Sequence, residues 1–375
     1  MLYDAIIVGA GSMGMAAGYY LAKRGKQVLL VDAGDPPHSD GSHHGETRII
    51  RHAYGEGESY VEMALQSQAL WEELQAETTR TIFKPTGVIN IGKEDSDFIQ
   101  NVLSSKERYQ LDVERLSPQD IHAKWKGFSI PEGYIGCYEV NSGVLMSENI
   151  IRAYREQAVQ HGAILKMNEP VNEIDLSENQ VKITTDRHSY TGRTLIATPG
   201  LYAKEMLSSI GLDLPLETVR KTFSWFHGDE NLYAEDRFPA FSFVLDNATY
   251  YGFPSVDGAG VKIGRHDSGV TRDVHQPIEP FGRYTEDEQD VSYLAHHYFS
   301  SIGDHHIGKV CTYTNTPDGD FIIDRHPIYS HVVFGCGFSG HGYKFSSVIG
   351  ETLAKLALGE QPSIDLTPFA HDRFA

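Results

Sequence analysis

Residues Tyr3 to Asp32 constrain this chain more than any other stretch. Tyr3–Gly9 (YDAIIVG) is an apolar run of the right length for one buried strand. It enters a G-x-G-x-x-G turn, Gly9-Ala10-Gly11-Ser12-Met13-Gly14, and then an apolar helical pattern from Met13 to Ala22 with Gly25 behind it. A second apolar strand, Gln27–Val31, stops on Asp32. Strand, glycine turn, helix, strand and acid in this order describe a dinucleotide-binding crossover. Gly9 permits the tight turn, Gly11 lets backbone approach a pyrophosphate, and Gly14 lets the helix close on the strand. The helix N-terminus offers unpaired N–H groups to the anion, and Asp32 is placed for ribose hydroxyls. An ordinary βαβ unit with a glycine-rich turn is the plainer alternative, and nicotinamide and flavin dinucleotides satisfy the motif equally.

Beyond this unit the chain alternates between αβ signals and β-rich sequence. A helix is expected over Tyr60–Glu77, a strand and turn over Lys84–Gly92, and a second αβ unit from Ser147, closed by Gly162. Strands are expected at Ala163–Met167, Val181–Thr185 and Arg193–Gly200, and an antiparallel sheet over Phe223–Gly264. A last strand, Val332–Gly337, leads through a second glycine turn into a helix from about Phe345 to Leu358. The fold class is therefore α/β (α+β), with a nucleotide-binding domain assembled from discontinuous segments and a mostly antiparallel substrate domain. The site is expected in the crevice between them.

The formal net charge of −19 argues against nucleic acid or an anionic membrane as partner. Three cysteines in 375 residues supply no disulfide framework and point to a reducing compartment, read here as the cytoplasm. The N-terminus does not read as a signal peptide, and no apolar run is long enough to span a membrane.

Three segments could carry chemistry. Gly41–His52 (GSHHGETRIIRH) gathers His43, His44, His52, Arg48 and Arg51 after the second strand, where arginine could pair with a carboxylate bidentately. Simple solvated charge is the alternative, and no second cluster accompanies it to make a metal site. Val261–His266 places Lys262 on the strand face opposite Val261 and Ile263, an arrangement that more often means an exposed charge. Phe338–Phe345 (FSGHGYKF) aims a glycine turn, a helix start and Lys344 at whatever negative charge lies near. Cys311, alone, would more often be a small buried apolar residue than a reactive one.

With these blocks in view, the chain resembles the family of monomeric sarcosine oxidase and N-methyltryptophan oxidase, FAD-dependent oxidases of N-methyl amino acids. The similarity runs through VGAGSMGMAAGYYLA, DPPHSDGSHHGETRIIRHAYGEG, NSGVL, SENIIRAYRE, YYGFPS, VKIGRH, CTYTNTPDGDFIID and GFSGHGYKFSS, which together span essentially the whole length. It implies an FAD-binding domain of residues 1–85, 141–215 and 312–375, and a substrate domain of 86–140 and 216–311. Cys311 would hold the flavin through a covalent thioether, with Gly9, Gly11, Gly14, Asp32, Gly340, Gly342 and Lys344 around the cofactor. Arg51 and Lys344 would grip the substrate carboxylate. Lys262 and Arg48 would face oxygen on the other side of the ring. His266 and Tyr251 would line the amine side, with Tyr313 and His44 near the ring. Arg265 stands where some relatives carry another residue, at an edge of the pocket.

The expected reaction is oxidation of an N-methyl amino acid, sarcosine first, by O2 to an imine that hydrolyses to the demethylated amino acid, formaldehyde and H2O2. N-methyl-L-tryptophan is the alternative substrate; Ser242, a small residue in the strand before Tyr250-Tyr251, is a weak hint of extra room. A nicotinamide-dependent dehydrogenase and a non-catalytic flavin-binding protein are the other readings. The expected partners are a small N-methyl amino acid and O2, with no metal, no nucleic acid and no membrane, and the chain is expected to be a monomer.

Overall fold

The structure is a computed structural model that describes residues 1–374, and of Glu58 the backbone alone. The last residue of the expected FAD-binding segment 312–375 therefore lies outside the described residues.

The first crossover forms as its sequence dictates. Strand Leu2–Val8 and strand Val28–Val31 run parallel, Ala5 opposite Val28 and Val8 opposite Val31, with helix Ser12–Lys23 between them. A Cβ on Gly14 would stand 1.9 Å from the Gly9 carbonyl oxygen, so no side chain fits where the helix closes on the turn.

Among the described residues the strands form three sheets. The first sheet runs in the order Val171–Leu176, Val181–Thr185, Ser189–Ala197, Leu2–Val8, Val28–Val31 and Ile164–Lys166. Strand Val332–Cys336 adds in parallel to Ser189–Ala197 and carries Ile322–Arg325 antiparallel beside it. Helix Ser12–Lys23 packs between helices Ser147–Gln160 and Ser346–Ala357 over this sheet, and their apolar faces share one core with Val61–Ala76.

The second sheet runs Val270–Thr271, Glu217–Gly228, Val261–Arg265, Ala248–Phe253, Ala240–Leu245, Val88–Lys93, Tyr134–Glu139 and Val113–Leu116. The long strand Ile302–Asn315 pairs with Glu217–Gly228 along nearly its whole length. All contacts in this sheet are antiparallel except that between Ala240–Leu245 and Val88–Lys93. One face is packed by aromatic residues, Phe128, Phe238, Phe241, Phe243 and Phe299 among them. A third, small sheet joins Thr47–Ile50, Gly143–Met146 and Phe83–Lys84.

Several expected boundaries shift. The strand expected over Lys84–Gly92 is two strands in different sheets, Phe83–Lys84 and Val88–Lys93, because Pro85 removes a donor and Gly87 turns at φ 69°. The helix expected from Tyr60 is regular over Val61–Ala76, after one 3₁₀ turn at Glu58–Tyr60. The last helix is likewise preceded by a 3₁₀ turn, Gly342–Phe345, which carries Lys344. Helices Asp97–Tyr109, Pro118–Lys124 and Glu286–Tyr298 were not expected from the sequence. No described helix is long and apolar enough to cross a membrane.

Candidate active site

One continuous cavity of about 760 Å³ runs from the glycine turn to Arg51 and Lys344. At its first end stand Gly9, Gly11, Ser12 and Asp32. Gly11 caps helix Ser12–Lys23 with no side-chain acceptor, so the first-turn N–H groups are left for another partner. A Cβ on Gly11 would meet nothing closer than His43 Nδ1 at 3.6 Å, which leaves the turn open on the cavity side. Asp32 accepts from Ala10 N at 2.6 Å and Gly34 N at 2.8 Å. Burial raises its carboxyl, and these two N–H groups hold the rise down. An open, uncapped helix start beside a positioned acid is what a dinucleotide's pyrophosphate and ribose require.

The middle of the cavity is lined by basic side chains. Arg48, on strand Thr47–Ile50, spends its guanidinium on the carbonyls of Thr47, Ser42 and His44 at 2.7–2.8 Å and lies over the Tyr343 ring. Lys262 is only 2% exposed, contrary to the usual expectation for such a strand lysine. Its Nζ donates to Gly45 O at 2.5 Å and Thr47 Oγ1 at 3.1 Å, and it faces the rings of Phe223, Phe253 and Trp225 at 4.6–5.3 Å. Burial pushes this amine well below its usual value, with Arg48 adding to the effect, while the three ring faces favour the cation. Cys311 is buried, lines the cavity and sits opposite Lys221 in the strand pair. Burial raises its thiol; Arg48, Lys262 and Lys221 pull the other way.

The far end holds the carboxylate-binding candidates. Arg51 is 5% exposed; its Nη1 donates to Ser242 Oγ at 2.7 Å and to Asn90 Oδ1 at 3.3 Å. Its Nη2 meets both carboxylate oxygens of Glu56 at 2.5 Å, while Nε has no partner among the described residues. Burial alone would lower the Arg51 guanidinium; Glu56, Tyr54 and Glu139 outweigh it. Glu56 keeps 32% of its side chain open. The solvent it has lost raises its carboxyl, but Arg51, His341 and Lys344 together hold it down at about 2. Lys344 Nζ donates to Tyr54 OH at 3.0 Å and His341 O at 2.8 Å, with no carboxylate oxygen among its hydrogen-bond partners in the described residues, and burial lowers it to about 7. Tyr54 OH and His341 Nδ1 are 2.9 Å apart, and His341 Nε2 lies 3.1 Å from Gly319 O. Burial holds His341 down at about 3 and His266 at about 4, so both are neutral near pH 7.

The structure therefore brings Gly9, Gly11, Asp32, Arg48, Arg51, Tyr251, Lys262, His266, Cys311, Tyr313, Gly340, Gly342 and Lys344 to one cavity. Gly14 stands behind the turn rather than in the wall. His44 is not among the lining residues; it packs against Phe223, burial lowers it to about 4, and its neighbour His43 lines the cavity instead. Arg265 also turns away from the cavity, bound to Asp267, Asp290 and Asn247 O at 2.9–3.0 Å. Ser242 is a hydrogen-bond partner of Arg51 as well as a small residue. Sequence reasoning missed Glu56, Tyr54, Asn90 and Glu139; the adjacency of Tyr54 and Glu56 to Arg51 was the available signal, and nothing local marks Asn90 or Glu139.

Comparison with known proteins agrees with this geometry. The family described as FAD dependent oxidoreductase matches residues 4–356. Monomeric sarcosine oxidase of Bacillus sp. (strain B-0618) is 47% identical over 374 residues, covering 99% of this chain and 96% of that protein. N-methyl-L-tryptophan oxidase of Salmonella heidelberg (strain SL476) is 42% identical over the full length of both. The solved structure of NikD, an unusual amino acid oxidase essential for nikkomycin biosynthesis, shares the fold with a TM-score of 0.86 at 20% identity, over 98% of this chain and 97% of that one. A dinucleotide cradle, a buried cationic pocket and full-length identity of this order lead to one conclusion: the chain belongs to the FAD dependent oxidoreductases, in the branch of the monomeric sarcosine oxidases and N-methyl-L-tryptophan oxidases.

Proposed function

We propose that the protein oxidises N-methyl amino acids, sarcosine foremost, with O2 as electron acceptor. The observation that carries this reading is the buried cation pair Arg51 and Lys344 in the same cavity as the glycine turn, Cys311 and Lys262. FAD, when bound, supplies the acceptor for two electrons and returns them to O2. Gly9, Gly11, Ser12 and Asp32 would hold its dinucleotide, and Gly340 and Gly342 its ring end. Cys311 would form a thioether to it.

The chain's own residues do the positioning. Arg51, released from Glu56, and Lys344 take the substrate carboxylate and fix the N-methyl group in place. Neutral His266 and the Tyr251 hydroxyl line the amine side without adding charge, which favours the unprotonated amine that the reaction needs. Lys262 and Arg48 stabilise negative charge developing on oxygen. The products balance: N-methyl amino acid, O2 and water give the amino acid, formaldehyde and H2O2. The division into an FAD-binding part (1–85, 141–215, 312–375) and a substrate part (86–140, 216–311) is supported by the segments each large sheet draws on, except that strand Ile302–Asn315 of the second sheet runs across the 311/312 boundary. A second reading, N-methyl-L-tryptophan as substrate, is favoured by Phe98, an aromatic residue that lines the same cavity as small Ser242.

A peroxide assay on the purified yellow protein across sarcosine, N-methylalanine, N-methyl-L-tryptophan, proline and glycine tests the proposal. Turnover of sarcosine, with loss of apparent affinity in Arg51→Met, is expected. No peroxide from any secondary amine would overturn it, and preference for the tryptophan derivative would select the second reading.

A further inference from the structure

Behind Arg51 lies a buried polar chain that the proposed chemistry does not use. Glu139 ends strand Tyr134–Glu139 and is 2% exposed. Its Oε2 accepts from His52 N at 2.7 Å, Ala53 N at 3.1 Å and Ser142 Oγ at 2.9 Å. Its Oε1 accepts from Asn90 Nδ2 at 3.1 Å, and Asn90 Oδ1 in turn accepts from Arg51 Nη1. Asn90 is fully buried on the neighbouring strand. A buried carboxylate costs free energy unless its oxygens are satisfied, and an apolar residue would fill the same space at less cost. Here the hydrogen bonds it receives come from Asn90, itself a partner of Arg51, from the segment that follows Arg51, and from Ser142 beside that segment.

We infer that Glu139 is the positioning residue of the Arg51 clamp. It anchors the backbone just after Arg51, and through Asn90 it decides which edge of the guanidinium faces a ligand. The inference rests on the reading of Arg51 as the carboxylate clamp. An asparagine amide has a donor end and an acceptor end that fit the same space either way round. An acceptor-only carboxylate at Glu139 draws Nδ2 toward itself and turns Oδ1 to Arg51. With Nη1 held by Asn90 and Ser242, Nη2 and Nε, which has no partner among the described residues, are left to meet a carboxylate, and it is Nη2 that meets Glu56. The Glu139 charge also favours the buried Arg51 cation through space.

The test inverts the polarity of the chain. Methoxyacetate, the ether counterpart of sarcosine without an amine, is titrated into the holoenzyme, and binding is read from the flavin absorption. In Glu139→Gln the new amide N–H₂ claims Asn90 Oδ1, which turns Nδ2 against Arg51. Affinity should fall by about 10- to 100-fold, while the anaerobic oxidation rate at saturating sarcosine changes less. Adding Asn90→Asp should restore most of the loss, since the introduced carboxylate would accept from both the introduced amide and Arg51. Asn90→Leu, which leaves the His52, Ala53 and Ser142 bonds in place, should also weaken methoxyacetate binding. Unchanged affinity in Glu139→Gln, or a double variant weaker than the single, overturns the inference. If Glu139→Gln does not fold, unchanged affinity in Asn90→Leu overturns it. Arg51→Met separates the two readings. If that variant binds methoxyacetate normally, the clamp itself is wrong. If it binds poorly while the Glu139 and Asn90 variants bind normally, only the positioning role fails.

Discussion

Lys344 shows how much a single residue's surroundings decide. Burial holds its amine at about 7, with Arg51 reinforcing the effect and Glu56 opposing it. A bound carboxylate favours the charged form. The sign follows: below pH 7 the amine is already charged and an amine-free acid binds best; above pH 7 binding must also take up a proton. The dissociation constant of methoxyacetate should therefore rise by up to about tenfold per pH unit above 7, and Lys344→Met should flatten that rise. Titrations between pH 6 and 9 check it. Cys311 makes a second prediction at this scale. In Cys311→Ser, acid precipitation should leave the flavin in the supernatant, whereas the proposed thioether should keep the parent pellet yellow. These residues were singled out in the sequence because each sits in a block of distinctive neighbours. Asn90 and Glu139 were not, since each lies in an unremarkable strand pattern and only strand pairing brings them to Arg51.

At the scale of elements, the glycine turn before the last helix carries the clearest geometric demand. Gly340 has φ 79°, and a Cβ there would stand 2.0 Å from the Tyr313 ring. Gly359 has a similar φ of 73° with nothing near its Cβ position. Both Gly340→Ala and Gly359→Ala should lower thermal stability through backbone strain of about 1–3 kcal/mol. Only the first should also change ligand affinity, because only it displaces Tyr313; melting curves and methoxyacetate titrations separate the two effects. Elements with strong periodicity were legible in advance: the first crossover, the helix from Ser147 and the final strand and helix all fall within a few residues of expectation. Helix Pro118–Lys124 was missed although Ser117 and Asp120 form a capping box, because seven residues carry too little apolar pattern. Helix Glu286–Tyr298 was missed because acids crowd its first turn and its apolar positions are few.

For the whole molecule, one buried ion pair ties the second sheet to a covering helix. Arg220, on strand Glu217–Gly228, meets both carboxylate oxygens of Asp287 at 2.7–2.8 Å, with both side chains 5% exposed. Burial would raise the Asp287 carboxyl, but the hydrogen bonds and charge of Arg220 outweigh it and the net shift is downward. Its stabilising contribution is thus present above the ordinary value of 3.8 and is lost as pH falls through the lower folded value. Asp287→Ala should cost about 3–5 kcal/mol near neutral pH, seen as a lower urea midpoint, and the gap to the parent should narrow below pH 4. Fold class was readable from the sequence because the crossover and the β-rich middle each have their own period. Strand order was not, since pairings such as Ala240–Leu245 beside Val88–Lys93 join segments far apart in the chain.

Gly9 and Lys344, at opposite ends of one cavity, set a condition on how that cavity is assembled. The opening crossover can close on local contacts alone, yet the pocket is complete only when Gly340, Gly342 and Lys344, distant in the chain, join it. On the proposed roles, a chain cut short before residue 344 would keep the crossover and lack the lysine proposed to seat an acid.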